Sequence, residues 1–104
     1  MIRSVLTLRT TPAQVEEILR FYRREQILQV SFDNTRQINS DIAVATDGSG
    51  ELLVTADWPD KAAYQEWVDH PRRAETAPEL GALLADAEVG VGKVYLIDHG
   101  VTRS

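Results

Sequence analysis

Residues 38 to 58 read as a β-hairpin, and this segment limits the possible folds more than any other. Ile38, Ser40, Ile42 and Val44 alternate with Asn39, Asp41 and Ala43, the period of an extended strand with one face turned inward. Asp47-Gly48-Ser49-Gly50 supplies turn chemistry, and Glu51 to Trp58 (ELLVTADW) returns as the second arm. An antiparallel pair needs further partners to be stable, so the rest of the chain must supply strands or covering helices.

The flanks supply both. Ile2 to Arg9 (IRSVLTLR) is a first strand with Ile2, Ser4, Leu6 and Leu8 on one face. Thr11-Pro12-Ala13-Gln14 then offers a capping hydroxyl, a proline at the first helical position and a Gln at the third, which predicts a helix start. Val15, Ile18, Leu19 and Tyr22 form its apolar side, opposite Glu17, Arg20, Arg23 and Arg24. Ile27, Leu28, Val30 and Phe32 fit either a continued helix, with Phe21, Leu28 and Phe32 on one stripe, or a short alternating strand. After the hairpin, Pro59-Asp60 opens a helix carrying Ala63, Tyr64, Trp67 and Val68 on one side, ended by His70-Pro71. Ala74, Ala77, Leu80, Leu83 and Leu84 suit another helix, which Pro78 would restart or kink and Gly81 weakens. Gly90 and Gly92 bracket a loop before a last strand, Lys93 to His99, and Gly100 to Ser104 is expected to fray.

The order β, α, β, β, α, β predicts an α+β chain of ferredoxin-like topology, a four-stranded antiparallel sheet with helices on one face. If Leu52, Val54, Ala56 and Trp58 lie under the helices, Leu53 and Thr55 face the other way, and the reading adds Ala43, Ala45, Val94 and Leu96 to that bare side. An apolar layer of this kind is expected to be covered by the sheet of a second copy.

Composition removes many alternatives. The chain has 104 residues, suited to one domain over 1–104 with a small or shared cavity. Sixteen acidic residues against 11 Lys and Arg give a net charge of −5, with no basic stripe to follow a phosphate backbone, so nucleic acid is not an expected partner. The absence of cysteine removes disulfides, thiolate nucleophiles, zinc ribbons and iron–sulfur clusters. Met1 to Thr11 has too few apolar residues for a signal-peptide core, and no stretch approaches the roughly 20 needed for a membrane helix, so a cytoplasmic protein away from the membrane is expected.

The two histidines, His70 and His99, are far apart, and no nucleophile elbow, glycine-rich phosphate loop or metal-spaced pair is present. The strongest local signal is aromatic: Trp58, Tyr64 and Trp67 fall within ten positions, either as core or as the wall of a site for a flat ring. Asp57 reads as a cap for the helix that follows it. His70 is either solvated or a proton-transfer group. Arg72 and Arg73 either clamp an anion or pair with Glu75 and water. Asp98 and His99 should point to opposite faces of the last strand, which argues against a direct dyad.

The run Gly50 to Trp58, followed by Asp60, Ala63-Tyr64, Trp67 and His70-Pro71-Arg72-Arg73, resembles the antibiotic biosynthesis monooxygenase family of the dimeric α+β barrel superfamily. The resemblance covers roughly Ile2 to His99 and is best between Asp47 and Leu84. It implies a homodimer with face-to-face sheets, a pocket in each subunit between sheet and helices, and a first helix running to about Phe32. Members include oxygenases that use neither metal nor flavin to convert anthrone-type polyketides to quinones, and relatives that degrade haem. Trp58 and Tyr64 match the quinone-forming pattern, whereas its asparagine is Val54 here and its helix arginine falls near Ala77. Trp67 matches the haem-degrading pattern, but that pattern's histidine and asparagine fall at Ala77 and near Thr7.

The resulting expectation is a cofactor-independent monooxygenase, without bound metal, acting with molecular oxygen on an aromatic polyketide-type phenol or anthrone. Tyr64, Trp67 and His70 are its expected catalytic residues, and Trp58, Arg73, Tyr22 and Val54 its substrate contacts. A polyketide cyclase or isomerase on the same fold, and a non-catalytic binding dimer, are the alternatives.

Overall fold

β1 (Ile2–Arg9) is an inner strand of the sheet, bonded along both edges. In the computed structural model, which describes residues 1–85, 87–90 and 92–103, it pairs antiparallel with β3 (Glu51–Trp58) from Ile2↔Trp58 to Arg9↔Glu51. β2 (Asn39–Val44) lies on the far edge of β3, giving the order β2-β3-β1. The other edge of β1 is shared by β4 (Glu88–Val89), opposite Leu8 and Arg9, and β5 (Lys93–Leu96), opposite Ile2 to Val5. Gly90 closes against β1 by donating its N–H to Thr7 O at 2.8 Å, and a Cβ there would stand 3.2 Å from the same oxygen. Four helices, α1 (Pro12–Arg24), α2 (Ile27–Asn34), α3 (Lys61–Val68) and α4 (Pro71–Leu83), cover one face. The expected α+β, ferredoxin-like plan is therefore present, with its fourth strand in two pieces.

The core forms where alternation on the strands meets the apolar side of α1. Leu8 and Leu52, opposite one another in the sheet, pack with Ile18, Phe21 and Tyr22. Burying each such aliphatic or aromatic side chain stabilises the fold by about 1.5–3 kcal/mol. A second cluster joins Ile2, Ala56 and Trp58 to Ala63 of α3, with Tyr64 and Trp67 packed beside it. No helix among the described residues is long and apolar enough to cross a membrane.

Several expectations change. The helical reading through Phe32 holds, but as two helices: Glu25 caps α1 and Gln26, at φ 50° and ψ 41°, turns the chain before α2. Thr11 does start α1, yet its hydroxyl does not cap it; Gln14 N–H donates to the Thr11 carbonyl at 3.0 Å, and the Gln14 side chain meets Thr10 Oγ1. Pro78 lies inside α4 rather than restarting it. Asp60, not Asp57, caps α3, accepting from Ala63 N–H at 2.8 Å. β5 stops at Leu96, so Asp98 and His99 lie beyond the strand, free of its alternation, and their side chains do touch, fully in solvent. Residues 100–103 form no helix or strand; position 104 of that tail and position 91 of the Gly90–Gly92 loop lie outside the described residues.

The outer face also differs. Register places Leu96 opposite Ile2 and Val94 opposite Ser4, so both belong to the helix side of the sheet, past the reach of the helices, where Leu96 is 81% exposed. Tyr95 and Lys93 take the outer side with Arg3 and Val5. Leu53, Thr55 and Ala43 do face outward, but beside the charged row Asn39–Asp57–Arg3, so the bare side is mixed rather than apolar.

Candidate functional site

A cavity of about 660 Å³ lies between the helices and the sheet, within the range of small-molecule sites. Its floor is the inward face of the central strands. One row runs Ser40–Ala56–Ser4 and the next pairs Val54 with Leu6, because strand pairing aligns these residues on one side. A serine at an inward strand position introduces a hydroxyl where a packed core would have a methyl group. Ser40 Oγ donates to the Thr55 carbonyl at 2.9 Å, and Ser4 Oγ accepts from Trp58 Nε1 at 3.0 Å.

Aromatic residues form one end. Trp58 ends β3 and is fully buried; the Tyr64 ring meets it edge-on, with centroids 5.5 Å apart and planes at 71°. Trp67, one helical turn on from Tyr64, lines the same end. From above, α1 contributes Tyr22, α2 contributes Leu28 and Ser31, and α4 contributes Arg73 and Leu80. Burial pushes the Tyr22 phenol above its ordinary pKa, opposed by the positive charge of Arg73, so the hydroxyl remains protonated at neutral pH.

Six of the seven residues singled out from the sequence therefore meet at one cavity: Trp58, Tyr64, Trp67, Tyr22, Val54 and Arg73. His70 is not among its lining residues. It caps α4 by accepting from Arg72 N–H on Nδ1 at 3.1 Å, and its ring stacks on the outer side of this group against Trp67 at 5.7 Å. Arg72 pairs with Glu75 at 3.0 Å, which leaves Arg73 as the arginine of that pair that reaches the cavity.

Sequence reasoning missed Gln37, Ser31, Ser40 and Ser4 as lining groups. Ser4 and Ser40 carried a signal, since each sits in register with inward aliphatic residues. Gln37 lies between α2 and β2, where no periodicity marks it.

The fold has counterparts among solved structures. Neither a family model nor a curated protein matches the sequence. Among solved structures, the chain is similar to a protein assigned as an antibiotic biosynthesis monooxygenase from Deinococcus radiodurans, at TM-score 0.75 and 16% identity over 100% of this chain and 99% of that one. SnoaB, a cofactor-independent oxygenase from Streptomyces nogalater, matches at TM-score 0.70 and 13% identity, covering 98% and 97%. A dimeric ferredoxin-like protein from an uncultured marine organism matches at 0.74 and 13%, covering 96% and 97%. The similarity runs along nearly the whole length of both chains in each comparison, and on that ground this chain has the fold of the antibiotic biosynthesis monooxygenases.

Proposed function

We propose that the protein is a cofactor-independent monooxygenase for a flat, hydroxylated aromatic compound of the anthrone or phenol type. The observation carrying this reading is the cavity walled by Trp58, Tyr64 and Trp67, with Arg73 and the protonated Tyr22 hydroxyl above a floor of Leu6, Val54 and Ala56 flanked by Ser4 and Ser40. Aromatic walls hold a planar ring by edge and face contacts while excluding water. Arg73 and Tyr22 offer a positive charge and a hydrogen-bond donor to an oxygen that becomes negative when the substrate loses a proton. The substrate anion then supplies the electrons to dioxygen. For an anthrone, the ring CH2 becomes a carbonyl; one oxygen atom of O2 stays in the quinone and the other leaves as water.

His70 acts in this reading by positioning: as cap of α4 and stacking partner of Trp67 it holds two of the lining elements. Two copies pair through the mixed outer face of the sheet, which Leu53 and Ala43 make partly apolar; the similarity to a dimeric ferredoxin-like protein supports this pairing.

The test is oxygen uptake with anthrone and dithranol. Uptake above the uncatalysed background, with quinone formed in equal amount and no product under strict anaerobiosis, is the expected result. Background rates with every such compound, or turnover without oxygen, would refute the oxygenase reading.

A further inference from the structure

The two serines on the cavity floor have the same side chain and opposite hydrogen-bond roles. Ser4 Oγ accepts from Trp58 Nε1 at 3.0 Å, whereas Ser40 Oγ donates to the Thr55 carbonyl at 2.9 Å. An indole nitrogen is a donor only, and Trp58 is fully buried, so the Ser4 oxygen is committed as its acceptor. The hydroxyl still carries its own proton, which has no acceptor among the described residues. Ser40 is the converse: its proton is taken by Thr55, and its remaining lone pairs can only accept. Ser4 keeps accessible surface, unlike the buried Ser31, and lines the cavity from an inward position of β1. The backbone of β1 is paired there on both edges, with Ala56 and Val94 opposite, so the group that Ser4 presents is its short CH2–OH.

We infer that Ser4 donates its hydroxyl proton to a carbonyl oxygen of the bound ring, which makes it a specificity residue for flat aromatic ketones. This rests on the reading of the cavity as an aromatic site and adds the functional group that the substrate must carry. Trp58 sets the direction of the donation: its N–H occupies one side of the Ser4 oxygen and keeps the proton off that side. A hydroxyl that accepts one bond while donating another is also polarised into a stronger donor. The preferred substrate therefore enters in its keto form, with the C=O on the edge that meets β1. When such a ketone loses a proton from its ring CH2, negative charge gathers on that same oxygen, and the hydrogen bond from Ser4 strengthens.

The experiment is equilibrium dialysis near neutral pH with 9-fluorenone and fluorene as probes. They share a flat three-ring frame; only the ketone has an acceptor, and neither ionises, so Arg73 meets no anion in either complex. The wild-type protein is expected to prefer fluorenone, and Ser4→Ala to lower the fluorenone-to-fluorene affinity ratio about fivefold, the scale of one net hydrogen bond. Fluorene affinity should hold, since a general loosening of the cavity would weaken both probes alike. Ser4→Cys, whose thiol is a weak donor, should lower the ratio too and serves if the alanine variant does not fold. Ser40→Ala should leave the ratio unchanged, because Ser40 has no proton to offer. An unchanged ratio in a folded Ser4 variant, an equal fall in Ser40→Ala, or equal wild-type binding of both probes overturns the inference and leaves the aromatic reading intact. Binding of neither probe overturns both. Discrimination that depends on Ser4, without oxygen uptake on anthrone, upholds the inference while refuting the oxygenase.

Discussion

Arg3 and Asp57 face each other across the β1–β3 pair and are joined by two hydrogen bonds, Nε to Oδ1 at 2.7 Å and Nη2 to Oδ2 at 3.1 Å, on the side of the sheet away from the helices. Asn39 of β2 adds a third bond to Oδ2 at 3.1 Å. The Arg3 hydrogen bond, with Asn39 in support, holds the Asp57 carboxyl below its ordinary pKa in spite of burial. Since the folded pKa is lower than the unfolded one, the carboxylate stabilises the fold above about pH 4 and loses that contribution as pH falls through the folded value. Urea unfolding of wild type and Asp57→Asn should show a difference at pH 7 that shrinks toward pH 3. A difference independent of pH would mean that the charge contributes nothing.

Gly50 and Gly48 both have positive φ, at 84° and 76°, but only Gly50 is sterically confined. A Cβ at Gly50 would stand 2.0 Å from the Thr10 carbonyl oxygen, which accepts no such approach, whereas one at Gly48 meets nothing within 4 Å. Gly48→Ala should cost about 1 kcal/mol, the price of a left-handed alanine. Gly50→Ala should cost more than about 3 kcal/mol by displacing β1 from β3's entry. Comparable unfolding midpoints for the two would contradict this.

Gln26 is the reverse case, a non-glycine residue in the left-handed region at the α1–α2 break. Gln26→Gly should remove the strain, offset in part by the greater freedom of glycine in the unfolded chain, for a net gain of up to about 1 kcal/mol. A lower thermal midpoint would show that the Gln26 side chain matters more than its backbone.

Arg73 and Arg72 are neighbours with different surroundings, one lining the cavity and the other paired with Glu75. Arg73→Gln should lower kcat/KM for an anthrone about a hundredfold, the effect of losing one charge-bearing contact to a developing anion, with the loss easing as pH rises and the substrate ionises unaided. Arg72→Gln should change it less than about threefold. Equal losses in the two would place the anion elsewhere.

Much of this arrangement is written in local pattern. The alternation of Leu52, Val54, Ala56 and Trp58, and the three-residue step from Tyr64 to Trp67, bring six expected residues to one cavity, since side-chain direction within a strand or helix follows from spacing alone. Pro12 and Asp60 mark helix starts for equally local reasons. The last strand shows where such reasoning stops. Val94 and Leu96 alternate correctly, but which face they occupy depends on their pairing with Ser4 and Ile2, some ninety residues away. Asp57 likewise looks like a helix cap until Arg3 is brought beside it.

Residue order along the chain thus carried the elements, their sequence and the aromatic wall, because each depends on neighbours a few positions apart. The charged row on the outer face, the diversion of His70 to capping α4, and the pairing of Trp58 with Ser4 came from packing distant segments together, since hydrogen-bond partners and burial are properties of the assembled layers.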